Sequence, residues 1–324
     1  MTLSKRILYV AIAIMWCAAA PLAGAVSLDF SSPGIFTGTI AAGGVYRIAL
    51  IGGDGGNASN GPSAPFGGSG GRGGLVVADI ELFAGQSYSV VVGGNGGNAI
   101  DRDDQFGGGG GGGLSLFTTQ DLSLPLDPNQ TLAVAGGGGG GTAGLNNIRD
   151  GQPGGQIARI DGLGGTAAAS GAGGGAGILG PGENSGDADD AQGGASAPTF
   201  IGGAGWENLG QPGNRANAGG FGGGGGGGFF EGGGGGGFSG GNGGAFRFGV
   251  SSIGNGGGSF VSSDFINAVL TRGDRRTDPD QTATLSLELI SPSQIPVPGA
   301  ALLFSSALCA GLLLRRKQTS AQNG

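Results

Sequence analysis

The segment GGGGGGGLSLFT, residues 107–118, joins a pure glycine run directly to a short apolar segment. The segment LAVAGGGGGGT, residues 132–142, makes the same join in the reverse order. Short apolar segments bounded by glycine are typical of β-strands. With 84 glycines in 324 residues, the fold depends on what the glycine runs do beside the strands that anchor them.

The glycines outside the pure runs are spaced with a period of three. Residues 67–74 read GGSGGRGG, residues 93–98 read GGNGGN and residues 240–245 read GGNGGA. This period matches the extended three-residue helix, which rises about 3.1 Å per residue and leaves its amides and carbonyls to pair sideways. Only glycine lets such helices approach closely, so the spacing predicts a bundle of polyglycine-II helices with every third residue facing outwards. The pure runs are predicted to lie in its middle: residues 107–113, 136–141, 222–228 and 232–237.

Ordering these glycines has an entropic cost of about 1–2 kcal/mol per residue, which hydrophobic burial cannot offset in a glycine run. Lateral hydrogen bonds and the flanking strands are the expected compensation, with phenylalanines capping the bundle ends: Phe106, Phe221, Phe229, Phe230 and Phe238. Glycine and proline form about 30 % of the chain, which is typical of disordered chains, so a disordered glycine-rich spacer remains an alternative. Collagen is excluded because proline is scarce and the Gly-X-Y repeat is not kept.

Segments with β character lie on both sides of the glycine-rich middle. Eight strands are predicted: residues 34–40, 45–51, 75–82, 87–92, 114–117, 132–135, 259–262 and 282–290. In the last one, Ala283, Leu285, Leu287 and Leu289 alternate with polar residues, as expected of a sheet with one buried face. Residues 46–50 and 88–92 show the same alternation. We expect a mainly β fold, a β-sandwich in which a sheet uniting early and last strands closes the glycine-rich middle as an insertion.

Several of these segments, taken in order, resemble a known module. They are VYRI at 45–48, GGRGG at 70–74, LFAGQSY at 82–88, GGF at 219–221 and GGGSF at 256–260. With the glycine runs between them, they resemble the glycine-rich extracellular domain of the anaplastic lymphoma kinase and leukocyte tyrosine kinase receptors, over residues 36–290. The resemblance implies a tumour-necrosis-factor-like β-sandwich with an inserted polyglycine-II bundle. It implies a fold alone, because the kinase, the receptor architecture and the domain's cysteines are absent.

The N-terminal end has the pattern of a secretory signal peptide. Lys5 and Arg6 precede the apolar residues 7–20, and Ala23 and Ala25 form a small-x-small cleavage signal. We expect signal peptidase to remove residues 1–25 and the remaining chain to be exported.

The C-terminal end combines a proline motif, an apolar stretch and a basic stop. Pro296, Val297 and Pro298 precede the uncharged residues 299–314, and the basic stop follows as Arg315, Arg316 and Lys317. The prolines favour an extended backbone that a protease can grip. As a transmembrane helix, the apolar stretch would span roughly 24 Å, and the cations favour a cytoplasmic end.

This tail resembles the PEP-CTERM sorting tail, which is read by an exosortase, an integral-membrane protease. The family motif usually reads Val-Pro-Glu-Pro, and here Val297 stands at the glutamate position. The resemblance implies an exosortase-type protease as partner and removal of the tail. A plain C-terminal membrane anchor is the alternative.

The residue types in the exported region exclude most catalytic chemistry. Histidine is absent, and both cysteines and both lysines lie in the two terminal segments, so the usual bases, nucleophiles and zinc ligands are missing. Acidic clusters at residues 101–104, 187–190 and 274–280 lack the spacing of EF-hands or calcium β-rolls. The 22 acidic residues outweigh the remaining arginines, which excludes nucleic-acid binding. We therefore predict no enzyme, no metal site and no cofactor.

Together these features predict an exported structural or adhesive protein, held transiently in the inner membrane and then released to the cell surface or an exopolysaccharide matrix, with exopolysaccharide as a candidate partner. The alternative is a surface module that binds a specific glycan or protein. The expected divisions are a signal peptide at 1–25, the glycine-rich β domain at 26–290, linker and sorting motif at 291–298, transmembrane helix at 299–314 and cytoplasmic tail at 315–324.

Overall fold

The computed structural model describes residues 27–59, 67–99, 106–143, 149–155, 161–167, 171–186, 191–205, 217–247, 250–275 and 282–293. Within these residues the fold is mainly β, with two antiparallel five-stranded sheets and one two-stranded ribbon. The only helix in the described ranges is a single 3-10 turn, Gly273–Arg275. None of the described helices is long and apolar enough to cross a membrane, and the transmembrane helix predicted at residues 299–314 lies outside the described ranges.

The strands, in chain order, are β1 (Ser27–Phe30), β2 (Gly34–Thr39), β3 (Gly44–Ile51), β4 (Leu75–Leu82), β5 (Ser87–Val92), β6 (Ser115–Thr118), β7 (Leu132–Ala135), β8 (Phe246–Arg247), β9 (Val250–Ser251), β10 (Phe260–Val261), β11 (Ile266–Thr271) and β12 (Thr284–Pro292). The first sheet has the order β1-β12-β3-β4-β11, and the second has the order β10-β7-β6-β5-β2. β8 and β9 form the ribbon.

The last strand of the chain, β12, lies between β1 and β3 in the first sheet. In register, Leu287 of β12 is opposite Leu28 of β1 on one side and Ile48 of β3 on the other. The predicted alternation explains this position, because the apolar residues at 283, 285, 287 and 289 are all buried. The expectation that one sheet unites early and last strands across the glycine-rich middle is confirmed.

Both faces of the second sheet are covered. Every residue of β6 and β7 is buried, since one face contributes Phe117 and Ala133 to a core shared with the first sheet. The other face contributes Leu116 and Val134 to a second core with Phe238. Because the two sheets share a core, the arrangement is compatible with a β-sandwich.

Two strands of the first sheet were missed by the sequence analysis. β1 has only four residues, too few for its alternation to identify a strand, and β11 is exposed at nearly every position and has no one-sided alternation. A bulge between Ile266 and Val269 and a positive φ of 54° at Asn267 interrupt β11 further. The predicted strand at 259–262 is shorter than expected, with only Phe260 and Val261 paired.

In the described residues, the glycine segments between the strands contain no regular β-strand and no α-helix. They run beside one another and exchange backbone hydrogen bonds, as in the 2.7 Å bond from the Gly112 amide to the Gly138 carbonyl. Residues 107–113 enter β6 and residues 136–141 leave β7, so the second sheet anchors these hydrogen-bonded segments at one end. We call the whole set the glycine array.

Candidate functional site

Residues 52–59 show how the glycine array is built, because their amides point in three directions in turn. Two directions lead to neighbouring glycine segments, and the third leads to side chains at the margin of the array. Three of them bond to the segment 68–74: Gly52 to Gly74, Gly55 to Gly71 and Ala58 to Gly68, at 2.8–3.0 Å. The next three bond to the segment 107–113: Gly53 to Gly113, Gly56 to Gly110 and Ser59 to Gly107, at 2.7–2.9 Å. Both sets step by three residues along each segment. The period of three in the sequence is therefore a period of three in hydrogen-bond direction.

The segment 107–113 lies at the centre of the array. Backbone hydrogen bonds join it to surrounding segments on all sides: residues 52–59, 94–97, 138–141, 220–228 and 233–236. For example, the Gly111 amide donates to the Gly225 carbonyl at 2.8 Å, and the Gly111 carbonyl accepts from Gly220 at 2.8 Å. All four pure glycine runs are buried along their whole length, which confirms that they occupy the middle.

The backbones are too close for any side chain. An ideal Cβ on Gly111 would overlap the carbonyl oxygen of Gly234, and one on Gly138 would overlap that of Gly71. By contrast, a Cβ on Gly180 would find only the Gly164 amide nitrogen, at 4.0 Å. Sterics therefore limit the interior of the array to glycine and exclude side-chain chemistry there.

At its margins, side-chain oxygens replace the carbonyls of absent neighbours. Asn95 Oδ1 accepts from the Asp54 amide at 2.9 Å, and Asn98 Oδ1 accepts from the Asn57 amide at 2.7 Å. Asp54 and Asn57 in turn accept from the amides of Gly73 and Gly70, at 2.7 and 2.9 Å. Asn184, Asn242 and Asp150 do the same elsewhere. We call these residues the polar rim.

The period of three predicts that every third residue of these segments faces outwards, and the polar rim agrees with this prediction. The period alone does not identify the hydrogen bonds of the rim. The available signal was the repeated triplet GGN, at residues 93–98 and 240–242, since asparagine offers an amide oxygen that resembles the peptide carbonyl.

The phenylalanines gather at both ends of the array, as predicted. Phe106 and Phe229 each contact Phe230, with ring centroids 5.2 and 4.3 Å apart. At the other end of the runs, Phe238 stacks on Phe260 at 4.1 Å, and Phe221 packs against the same core. Apolar contacts thus cover the ends where the lateral hydrogen bonds stop.

A separate polar cluster lies on the first sheet. Asp79, whose side chain is only 3 % exposed, receives two hydrogen bonds from Arg47, at 2.8 and 3.1 Å, and one from Asn267 at 2.9 Å. The hydrogen bond from Arg47 is the main cause that lowers the pKa of Asp79 below its usual value, and the same bond raises the pKa of Arg47. The carboxylate is fully paired, so the cluster has the properties of a structural ion pair rather than of a general base.

Two further carboxylates lie in the loop between β6 and β7. Backbone hydrogen bonds from Ser123 and Asn129 lower the pKa of Asp121 and Asp127, respectively. Across the described ranges, no group of three or more metal-ligating side chains occurs. Of the acidic clusters in the sequence, only Asp274 is described, and its Oδ1 lies 3.6 Å from Nε of Arg272.

The residues predicted to direct processing all lie outside the described ranges. They are Ala23 and Ala25 at the signal cleavage point, and Pro296, Val297, Pro298, Arg315, Arg316 and Lys317 in the sorting tail. Their roles stay predictions from the sequence.

No protein-family model matches the chain, and no curated protein matches it either. The class that fold and array define is therefore a broad one, a mainly β protein built around a hydrogen-bonded glycine array.

Proposed function

We propose that this chain is an exported structural or adhesive protein of the cell surface or extracellular matrix, without catalytic activity. The observation that supports this most directly is the glycine array. Its interior has no side chains, and its amides and carbonyls bond to one another. Such an interior offers rigidity but no group that could bind or transform a substrate.

The finer architecture is part of the same proposal. The glycine segments are polyglycine-II helices, inserted into a tumour-necrosis-factor-like β-sandwich. The change of hydrogen-bond direction with every residue and its return every third residue support the helical assignment. The shared core of the two sheets supports the sandwich.

The proposed route to the surface rests on the two ends of the chain. Signal peptidase removes residues 1–25, residues 299–314 hold the chain in the inner membrane, and an exosortase-type protease cleaves near Pro296 to Pro298. The mature protein then joins the outer surface or the exopolysaccharide matrix. The sequence of the tail supports this route, and a plain membrane anchor is its competitor.

A specific glycan- or protein-binding module is the second candidate function. The exposed row of side chains at Asn57, Asn95 and Asn98 favours it, because their carboxamide NH2 groups, whose oxygens accept within the array, can donate to sugar hydroxyls. A glycan array decides between the two functions. Saturable binding that is lost when this row is substituted supports the module, whereas its absence supports a scaffold.

The first experiment determines the C-terminal residue of the mature chain. The protein is isolated from cells and medium of its native host and studied by intact mass and terminal peptide mapping. A terminus close to Pro296–Pro298 that disappears when the exosortase is deleted supports sorted surface cargo. An intact chain ending at Gly324 in the membrane fraction rejects the sorting proposal and favours a simple anchor.

A further inference from the structure

Within the described ranges, three asparagines lie in the same sequence, Gly-Asn-Gly-Gly: Asn95, Asn242 and Asn255. An asparagine that precedes glycine can lose ammonia, because glycine has no Cβ to hinder attack of its backbone nitrogen on the carboxamide carbon. The product is a five-membered succinimide, which water opens. Since the neighbouring residues are the same, the sequence predicts equal reactivity at all three sites, and any difference between them comes from the fold.

Two of the three sites are held by a pair of hydrogen bonds to one neighbouring residue. Asn95 Oδ1 accepts from the Asp54 amide at 2.9 Å, and the amide of the following glycine donates to the Asp54 carbonyl at 2.8 Å. Asn242 Oδ1 accepts from the Thr166 amide at 2.9 Å, and the amide of the following glycine donates to the Thr166 carbonyl at 2.9 Å. Each pair therefore holds both reacting groups, the carboxamide and the glycine nitrogen.

The third site has neither of these bonds. Among the described residues, the Asn255 carboxamide and the Gly256 amide have no hydrogen-bond partner. Succinimide formation turns the Asn255 carbonyl together with the Gly256 nitrogen, so it breaks one bond, from the Gly235 amide to that carbonyl at 2.8 Å. The same movement breaks two bonds at Asn95 and three at Asn242, whose carbonyl also accepts from the Asn255 amide.

Exposure to solvent points to a different site. The Asn95 residue is exposed, whereas Asn242 and Asn255 are both half-buried. Solvent access alone therefore predicts the fastest reaction at Asn95, and hydrogen bonding predicts it at Asn255. Because the carboxamide carbon and the glycine nitrogen must rotate towards each other, we expect the bonds that break first to decide the order of the rates.

We propose that Asn255 is a site of spontaneous deamidation in the folded protein. The Gly256 nitrogen loses its proton to water and bonds to Cγ of Asn255, the bond from Cγ to the side-chain nitrogen breaks, and ammonia leaves with a proton from water. Water then adds to either carbonyl of the succinimide and opens it to aspartate or isoaspartate. The net reaction consumes water and releases ammonia, with no change of oxidation state. This inference does not depend on how the chain is exported or processed.

The isoaspartate product alters the array. In isoaspartate the chain runs through the side-chain carbons, so the backbone at residue 255 becomes one carbon longer. On either side of it, the amides of Gly254 and Gly257 donate to the carbonyls of Gly140 and Gly137, at 3.2 and 2.8 Å. A longer backbone between them cannot keep both bonds, so the modification loosens residues 252–258 from residues 136–141.

Incubation of the full chain in mildly alkaline buffer, followed by trypsin digestion and mass spectrometry, tests the proposal. Trypsin separates the three sites, with Asn95 in peptide 73–102, Asn242 in 216–247 and Asn255 in 248–272. We expect Asn255 to react fastest, Asn95 about two- to ten-fold more slowly, and Asn242 more slowly again by a similar factor, the effect of one hydrogen bond at each step.

The same chain unfolded in urea is the control, and there the three rates should become equal. Fastest reaction at Asn95 in the folded protein, or equal rates at the three sites, overturns the proposal. It is also overturned if Asn255 stays unchanged in the folded protein while the unfolded chain reacts.

Amide hydrogen exchange at Gly257 tests the loosening. We expect faster exchange in the aged protein than in the fresh protein. Fresh Asn255→Asp has the new charge without the additional carbon and should keep slow exchange, as should aged Asn255→Ser, which cannot form the succinimide. Equal exchange at Gly257 in the aged wild type and in aged Asn255→Ser contradicts the loosening.

Discussion

At the scale of the residue, the array depends on the absence of a Cβ atom from glycine. Most interior glycines have a neighbouring carbonyl oxygen where a Cβ would be, so at these positions the close approach that permits the backbone hydrogen bonds also excludes a side chain. Glycine is therefore required here for close approach of backbones. A positive φ explains only a few positions, such as Gly222 and Gly223.

The first prediction concerns substitution by alanine. Gly111→Ala should destabilise the protein by about 1–3 kcal/mol or more, because the added methyl forces apart the segments that contain Gly111 and Gly234. Gly180→Ala has open space and should be neutral or stabilising by up to about 1 kcal/mol. Urea unfolding of both variants measures the difference. Equal stabilities would show that the array does not have this spacing.

The second prediction concerns pH and Asp79. Its pKa is lowered from the ordinary value of 3.8, so the ionised form is favoured in the folded state. The resulting stability is present above that ordinary value and is lost as the pH falls through the lowered pKa.

We therefore expect Asp79→Asn to be less stable at neutral pH and to lose less stability on acidification than the wild type. Glu81→Gln removes an equal charge from an exposed position on the same strand as Asp79, opposite Val45, and is the control. Urea unfolding between about pH 5 and pH 2 measures both profiles. Parallel profiles of the wild type and Asp79→Asn would contradict the assigned role of the ion pair.

At the scale of the element, the polar rim supplies hydrogen-bond acceptors to the amides of residues 52–59 that face the margin of the array. Asn95 and Asn98 lie three residues apart and each serves one amide, Asp54 and Asn57 respectively. Each hydrogen bond is expected to contribute about 0.5–1.5 kcal/mol.

The third prediction exploits this one-to-one pairing. Asn95→Ala should speed amide hydrogen exchange at Asp54 and leave Asn57 unchanged, while Asn98→Ala should do the reverse. Asn95→Asp keeps the acceptor oxygen and should retain protection at Asp54. Exchange measured residue by residue by NMR checks all three variants. Faster exchange at both amides in either alanine variant would indicate general loosening instead.

Some elements could be predicted from the sequence because their physical cause is local. The alternation in β12 and the purity of the glycine runs each reflect the immediate surroundings of the residue. The burial of the glycine runs was therefore predicted correctly, and the last strand to within two residues of its observed bounds, Thr284–Pro292. β11 is not predicted because its exposed side chains show no alternation. The Asp79 cluster is not predicted because both partners of Asp79 lie on other strands, Arg47 on β3 and Asn267 on β11. Which glycine segments become neighbours is equally hidden, because all glycine runs have the same chemistry.

At the scale of the whole molecule, sheets and array depend on one another. The strands hold the ends of the glycine segments, and the array occupies the β3–β4 and β5–β6 connections together with the long connection between β7 and β10. Hydrophobic burial stabilises the former and lateral hydrogen bonds the latter.

The fourth prediction tests this coupling. Amides of residues 107–113 and 136–141 should exchange as slowly as those of β3 and β12, because opening them requires global unfolding. Hydrogen exchange followed by mass spectrometry gives both rates in one experiment. A disordered glycine-rich spacer predicts exchange within seconds across both runs while the strands stay protected.

The position of β12 between β1 and β3 also means that the first sheet cannot be completed until the end of the chain has been synthesised. Ile51 of β3 pairs with Thr284, and the residues between them take roughly 10–50 s to synthesise at typical ribosomal speeds. Throughout this interval β1 and β3 of the nascent chain lack the strand that pairs with both of them. We expect a chaperone to prevent the nascent chain from associating with other copies until β12 has been synthesised.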